Sequence, residues 1–358
     1  MEPNSDGPNL IARAPARIPI VNVVASRFFF GFIVLVCAEV FSGASVKVGL
    51  WNPWTWVMTY WLYFAHFYFF TTLAVRTGRT SLGSLYLWGV LYGLYESWIT
   101  KVVWSGYNGD GKFAMGAIGP FGFSEISMVF FFHPIAAFIL PLATACIHCP
   151  SLRRHFSSLA WLTGSTKTAR AIQVYLVFSF APAMAVNSGG LTNLTLNLMV
   201  VLVLLFVLWW LARPALEASD GVGIVAFANR GFAALAVYLA MLYGVTYVYL
   251  RPEALPSLSV QVFTFVFYGV AIAGLRLYPR RAPLPAAEAH VEKREVSLIE
   301  TLFALIVVLA LVLSNLAGQS VLFLALVPIF ISWTLLGFVL AAAALVMPIH
   351  ARLTREAS

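Results

Sequence analysis

Ten long apolar runs divide this 358-residue chain and constrain its fold more than any other feature. A helix needs about 20 mostly apolar residues to cross the roughly 30 Å hydrocarbon core of a bilayer. Hydrophobic residues make up 61% of the chain and charged residues 10%, whereas about a quarter of the residues in a soluble protein are charged. The sequence therefore predicts an all-α fold, a polytopic transmembrane helix bundle of about ten spans. The predicted spans are 27–46, 57–75, 82–104, 124–145, 171–188, 191–212, 232–250, 259–277, 298–316 and 320–346.

The distribution of basic residues predicts the orientation of the bundle. The polar first 26 residues contain no short apolar core with a small-residue cleavage site, so we expect no removable signal peptide and a cytoplasmic N-terminus. If the chain starts in the cytoplasm and crosses the membrane ten times, 18 of the 22 Lys and Arg residues lie inside, three lie outside and Lys101 lies within a span. Both termini are thus predicted to be cytoplasmic. The net charge of +8 is spread over these loops, which favours the lipid bilayer as partner and no nucleic acid.

The predicted organisation has five parts. They are a disordered cytoplasmic tail over 1–26, an eight-span membrane domain over 27–278, a cytoplasmic linker over 279–297, two further spans over 298–347 and a cytoplasmic tail over 348–358. Nearly all ionisable residues that fall inside spans belong to the first four, so we expect the functional site there.

Two carboxylates and two imidazoles are predicted to lie in one layer of the membrane. Each is about seven to nine residues from the outer end of its span, which places it about 10 to 14 Å deep. They are Glu39, His66, Glu96 and His133. Ionisable groups at that depth usually face a protein interior or a water-filled cavity, so we expect the four to converge on one cavity near the midplane. Alternatively, each is a polar group satisfied by a neighbouring hydroxyl or carbonyl, as in many membrane bundles.

The third span carries the densest pattern of small and polar residues. Gly89 and Gly93 form a small-residue face that lets a neighbouring helix approach closely. Glu96 and Thr100 continue roughly the same side of the helix, with Tyr92 beside them. The complete predicted substrate- or ion-binding set is Glu39, His66, Tyr92, Glu96, Thr100 and His133.

Two further features belong to the third and fourth spans. Lys101 and Glu125 fall at similar depth near the outer ends of these spans, which predicts an ion pair between them. The alternative is that Lys101 extends to the outer interface. Pro134 leaves a carbonyl without its helical donor, so we expect a polar, hydrated pocket beside His133.

The motif Glu96-Ser97-x-x-x-Lys101, followed by Val129-x-x-x-His133, resembles motifs of one family of intramembrane proteases. That family comprises the prenyl-protein (CAAX) endopeptidases and bacteriocin-processing enzymes. The resemblance implies that Glu96 and His133 are catalytic, with the glutamate activating water. Ser97, Lys101 and Val129 stand where the family has glutamate, arginine and phenylalanine, and no later span supplies the family's second histidine.

Three functions are compatible with these features. The favoured one is a proton- or cation-coupled transporter of a small solute, because carboxylates and imidazoles exchange protons near neutral pH. An intramembrane enzyme is the second. It would be a hydrolase with Glu96 as general base, or a metal or bis-histidine haem protein using His66 and His133. The third is a structural membrane subunit. The sequence identifies no cofactor, and a metal ion or a haem is compatible with the site without being required by it.

Overall fold

The computed structural model describes residues 18–42, 50–105, 116–164, 166–218, 221–285 and 293–356. Within these ranges, ten helices of 18 residues or more follow the ten predicted spans in order, which confirms the all-α fold class. The helices are α1 (Ile20–Val40), α2 (Thr55–Thr59 continued by Tyr60–Thr77), α3 (Leu82–Thr100), α4 (Phe123–His148), α5 (Lys167–Asn187), α6 (Leu191–Ala218), α7 (Asn229–Tyr249), α8 (Leu258–Leu277), α9 (Lys293–Leu316) and α10 (Gln319–Glu356).

Eight of these ten helices are long and apolar enough to cross a membrane, and the exceptions are α2 and α3. Both exceptions carry many Tyr, Thr and Ser side chains together with His66 or Glu96. Most of their residues are nevertheless buried inside the bundle, so neighbouring helices surround them. Eight spans are therefore supported by length and composition, and ten spans remain a prediction.

The first four helices form the centre of the bundle, and the later helices surround them. In the apolar segment of α4, 89% of the residues are buried, whereas the figure is only 22% in α6, α9 and α10. These last three helices therefore face the surroundings. The main pairings join α1 to α6, α3 to α4, and α5 to α9. The helices that hold the predicted site residues are thus the ones most shielded from lipid.

The pairing of α3 with α4 depends on two glycines. A Cβ on Gly89 would lie 2.5 Å from Pro134 Cα, and one on Gly93 would lie 2.9 Å from His133 Cβ. These separations are shorter than the 3.5–4.0 Å or so at which carbon atoms normally touch. Only glycine therefore allows the two backbones to approach this closely, as the small-residue face predicted.

Pro134 lies in the π-helical segment Met128–Ile139 of α4, and His133 beside it lines a polar cavity, whose hydration stays a prediction. In a π-helix the backbone hydrogen bond that proline cannot donate would go to the carbonyl five residues earlier, here that of Val129. The Tyr86 hydroxyl of α3 lies 2.6 Å from the Phe130 carbonyl of α4 and 2.9 Å from the Gly337 carbonyl of α10, so its one proton is shared between the two acceptors. This side chain thus joins three helices close to the proline.

Several predicted boundaries differ from the observed ones. Helix α1 begins at Ile20, inside the predicted tail over 1–26, of which residues 1–17 lie outside the described residues. Helix α10 continues to Glu356, through most of the predicted tail over 348–358. The first extension, 20–26, is mostly apolar and continues the apolar run of the first span, whereas the last, 348–356, extends α10 beyond its apolar segment. Between α3 and α4, the strands β1 (Ala117–Ile118) and β2 (Phe121–Gly122) pair in antiparallel fashion.

Candidate functional site

A cavity of about 370 Å³ lies at the centre of the bundle, toward the side predicted to be outer. Residues of α1, α2, α3, α4 and α7 line it, together with Arg251 in the loop that follows α7. Its walls come from the C-terminal parts of α1, α3 and α7 and the N-terminal parts of α2 and α4. The cavity reaches the surface beside Trp54, whose side chain is 55% exposed.

Glu96 and His133 lie within hydrogen-bonding distance of each other in the wall of this cavity. The carboxylate Oε2 of Glu96 lies 3.1 Å from Nε2 of His133, and the two residues are only 9% and 5% exposed. The glycine contacts between α3 and α4 place these two side chains together, because Gly93 lies directly against the His133 side chain and the Val129 carbonyl. At this distance a proton can pass between a carboxylate and an imidazole.

Glu39 lines the same cavity from α1. It lies in the segment Val36–Val40, which is π-helical, and His133 lies in the π-helical segment Met128–Ile139 of α4. Such segments are rare and often occur at functional sites, because the extra residue per turn redirects a side chain. The Tyr63 hydroxyl from α2 donates to the Glu39 carboxylate. Three helices therefore direct hydrogen-bonded acidic or imidazole groups at one space.

Glu125 and Thr100 lie nearer the predicted outer end of the cavity, with Arg251. Glu125 is 4% exposed, and its Oε2 accepts a hydrogen bond of 2.7 Å from the Ser124 hydroxyl. The guanidinium of Arg251 donates to the Thr100 carbonyl over 3.3 Å and to the Ser105 hydroxyl over 2.7 Å. A carboxylate and a cation thus lie at this end, above the buried pair.

Lys101 does not form the predicted ion pair with Glu125. Its ammonium donates instead to three carbonyls at the C-terminal end of α7, those of Thr246 (2.9 Å), Tyr247 (3.2 Å) and Leu250. Lys101 ends α3 in the left-handed conformation, with φ of 58°, which turns its side chain toward α7. A helix end carries partial negative charge on unpaired carbonyls, so it is a natural partner for a buried ammonium.

His66 and Tyr92 do not line the cavity, contrary to the expectation that all four layer residues converge on it. The fully buried His66 is held by a 2.6 Å contact between its Nδ1 and the Leu62 carbonyl one turn earlier in α2. The Tyr92 ring packs against both imidazole rings, with centroids 5.2 Å from His66 and 5.7 Å from His133. Residue spacing predicts only approximately which way a side chain points from its helix. Here an aromatic layer separates His66 from the cavity.

The described residues form neither a bis-histidine haem site nor a cluster of three His, Cys, Asp or Glu ligands for a metal ion. A haem held by two histidines would need both rings on one cavity, and His66 is packed among aromatic side chains outside it. Across the described parts of the chain, no group of three or more His, Cys, Asp and Glu side chains is placed to hold a metal ion. The site is therefore best described as a cavity with carboxyl and imidazole side chains in its wall.

Sequence reasoning missed several residues of the cavity. Trp54, Tyr63 and Ser97 line it, as does Arg251, one of the three basic residues that the predicted orientation places outside. The signal for Arg251 was present, because a basic residue on the outer side departs from the positive-inside rule. Tyr63 and Ser97 gave no signal, since Tyr and Ser are common in helices of membrane bundles.

Comparison with known proteins corrects the protease resemblance. A protein of Archaeoglobus fulgidus, described only as uncharacterized, is 37% identical over 115 residues, which are 32% of this chain and 36% of that protein. The match thus spans about a third of that relative's length. No solved structure matches the chain. The model of another family matches residues 28–355, so the motif around Glu96 and His133 does not make the chain a CAAX-type or bacteriocin-processing protease. The chain belongs to a family of uncharacterized membrane proteins, whose family model covers nearly its whole length.

Proposed function

We propose that this integral membrane protein is a proton- or cation-coupled transporter of a small solute. The observation that carries the proposal is the cavity that runs from the surface at Trp54 to the buried pair of Glu96 and His133. Ionisable residues inside membrane proteins are costly, and they usually mark substrate pathways or proton relays. Binding sites of transporters commonly lie near the bilayer midplane, where the pair is predicted to lie.

The charge of the cavity favours a cationic solute. Its ionisable lining residues, among the described part of the chain, are Glu39, Glu96, Glu125, His133 and Arg251. Three carboxylates thus face one permanent cation, and the imidazole is already paired with one carboxylate. A cavity lined by one sign of charge within low-dielectric walls concentrates ligands of the opposite sign.

The Glu96 and His133 pair supplies a mechanism for coupling. When the pair holds a proton, the imidazolium or the carboxylic acid reduces the negative charge of the cavity and weakens binding of a cation. When the proton leaves, the pair attracts a cation more strongly, so proton and solute exclude each other. Mutually exclusive binding of two ligands at one site is sufficient for exchange if the site alternates between the two sides of the membrane.

Transient currents from proteoliposomes on a solid-supported membrane test this proposal. At a pH alkaline enough that the pair holds no proton, rapid addition of sodium, potassium, ammonium or tetramethylammonium should displace charge in the wild-type protein for at least one of these cations. Glu96→Gln keeps the side-chain volume and removes the exchangeable charge, so it should abolish the current. Glu217→Gln makes the same chemical change on a glutamate whose side chain is 62% exposed and paired with Arg213 on α6, and it should leave the current unchanged.

Two results would contradict the proposal. One is an equal current in wild type and Glu96→Gln, which would mean that charge moves by another route. The other is the absence of any current for all four cations in correctly inserted wild-type protein. That result favours a structural membrane subunit, for which the acidic cavity has no transport role.

A further inference from the structure

A second cavity, of about 460 Å³, lies beside the acidic one and is almost entirely apolar. Its walls come from α3, α4, α8 and α10, from the short helix Val102–Ser105 and from the β1–β2 hairpin. Aromatic rings dominate the lining, and Ser97 and Thr264 are its hydroxyl-bearing residues. Both cavities fall in the range of roughly 300–1,000 Å³ that is typical of small-molecule sites.

The two cavities adjoin along the contact between α3 and α4. Ser97 lines both of them. On α4, Glu125 and Met128 face the acidic cavity, whereas Ile126 and Val129 face the apolar one. Ser97 thus borders both a charged space and an apolar space.

The apolar cavity also reaches the lateral surface of the bundle. Phe263 of α8 and Phe338 of α10 line it and are 50% and 44% exposed. Both helices are long and apolar enough to cross the membrane, and only 28% and 22% of the residues in their apolar segments are buried. Exposed apolar side chains at such positions face lipid in a membrane-spanning protein. The acidic cavity is therefore accessible near Trp54, and the apolar cavity is accessible from the bilayer.

We propose that the transported solute is an amphiphilic cation, with its cationic head in the acidic cavity and its hydrocarbon tail in the apolar one. This inference rests on the proposed transport function. Complementarity of charge selects the head, because carboxylates dominate the ionisable lining of the first cavity. The tail is selected by the second cavity, where a polar group would lose its hydrogen bonds to water and find few partners. Ser97 marks the position at which head and tail join.

Binding of an alkyltrimethylammonium series to the protein in lipid nanodiscs tests the inference. Tetramethylammonium has only the head, and the hexyl and decyl compounds add tails of increasing length. In wild-type protein, each methylene that enters the cavity should lower the Kd about fourfold, until the cavity is filled. Val103→Phe and Ile126→Trp each fill part of the apolar cavity, so in both variants the fall in Kd should stop at a shorter chain than in the wild type. Tetramethylammonium provides the reference ligand within each variant.

Val262→Phe is the matched control, because Val262 lies on α8 with 57% exposure and does not line the cavity. It should retain the full dependence on chain length. If both cavity-filling variants also retain it, the tails merely partition into the bilayer and the inference is wrong. If bulk lipid alone occupies the apolar cavity, chain length will have no effect in wild type, which also overturns the inference. In either case, a tetramethylammonium current that depends on Glu96 would leave the transport proposal intact.

Discussion

Gly89→Ala should destabilise the bundle and separate the helices that carry the buried pair. The added Cβ would lie 2.5 Å from Pro134 Cα, a backbone atom that cannot rotate away. Carbon atoms touch at about 3.5–4.0 Å, so α4 must retreat from α3 by about 1 Å. Overpacking of this kind costs about 1–3 kcal/mol, against a gain of up to about 1 kcal/mol from the higher helix propensity of alanine. We therefore expect a net loss of about 1–2 kcal/mol in the free energy of unfolding.

Gly269→Ala makes the same substitution in the middle of α8, where a Cβ would meet nothing within 4 Å. Here the propensity term acts alone, so the variant should be neutral or more stable by up to about 1 kcal/mol. Reversible unfolding by sodium dodecyl sulfate in mixed micelles measures both free energies. Equal effects of the two substitutions would refute the close packing of α3 on α4. The same result would remove the physical reason for the proximity of Glu96 and His133.

Three other predictions follow from the described contacts. Lys101→Met removes the charged donor from carbonyls at the end of α7, and should cost about 2–3 kcal/mol of unfolding free energy in the same micelle titration. In a double-mutant cycle, the coupling energy between Lys101→Met and Glu125→Gln should be below about 0.5 kcal/mol. A larger coupling energy would show that Lys101 and Glu125 do interact. An impermeant maleimide added outside intact cells should label Ile118→Cys and spare Ala282→Cys, since the described natural cysteines are buried and both new positions are exposed. The reverse labelling would overturn the predicted orientation.

Periodicity and composition predicted the long helices well. An apolar run of about 20 residues has few alternatives to a helix in a membrane, because every backbone polar group must be satisfied within the segment. The α3 and α4 contact was also predictable, since Gly89 and Gly93 share one helix face and have no side chain to block a neighbour. Both features depend on residues that are close together along the chain and on an apolar surrounding. Hydrophobic periodicity and composition reveal both of these directly.

The site was predictable only in part, because side-chain direction depends on contacts between distant segments. Helix geometry placed Glu96 and His133 at a similar depth, and their side chains are in contact in the structure. The same reasoning failed for His66, which turns toward the carbonyl of Leu62 and an aromatic layer. It failed for Lys101 because the competing acceptor, the end of α7, lies about 145 residues away in sequence. No pattern within one span reports such a partner.

Proton release on cation binding tests the central claim most directly, because the claim is that a proton and a cation compete at Glu96 and His133. Purified protein in detergent and weak buffer is mixed with tetramethylammonium, and a pH-sensitive dye records protons released into solution. Wild type and Glu217→Gln should release protons as tetramethylammonium binds, whereas Glu96→Gln should release none. Binding without proton release in wild type, or equal release from Glu96→Gln, would contradict the assignment of this pair as the coupling site.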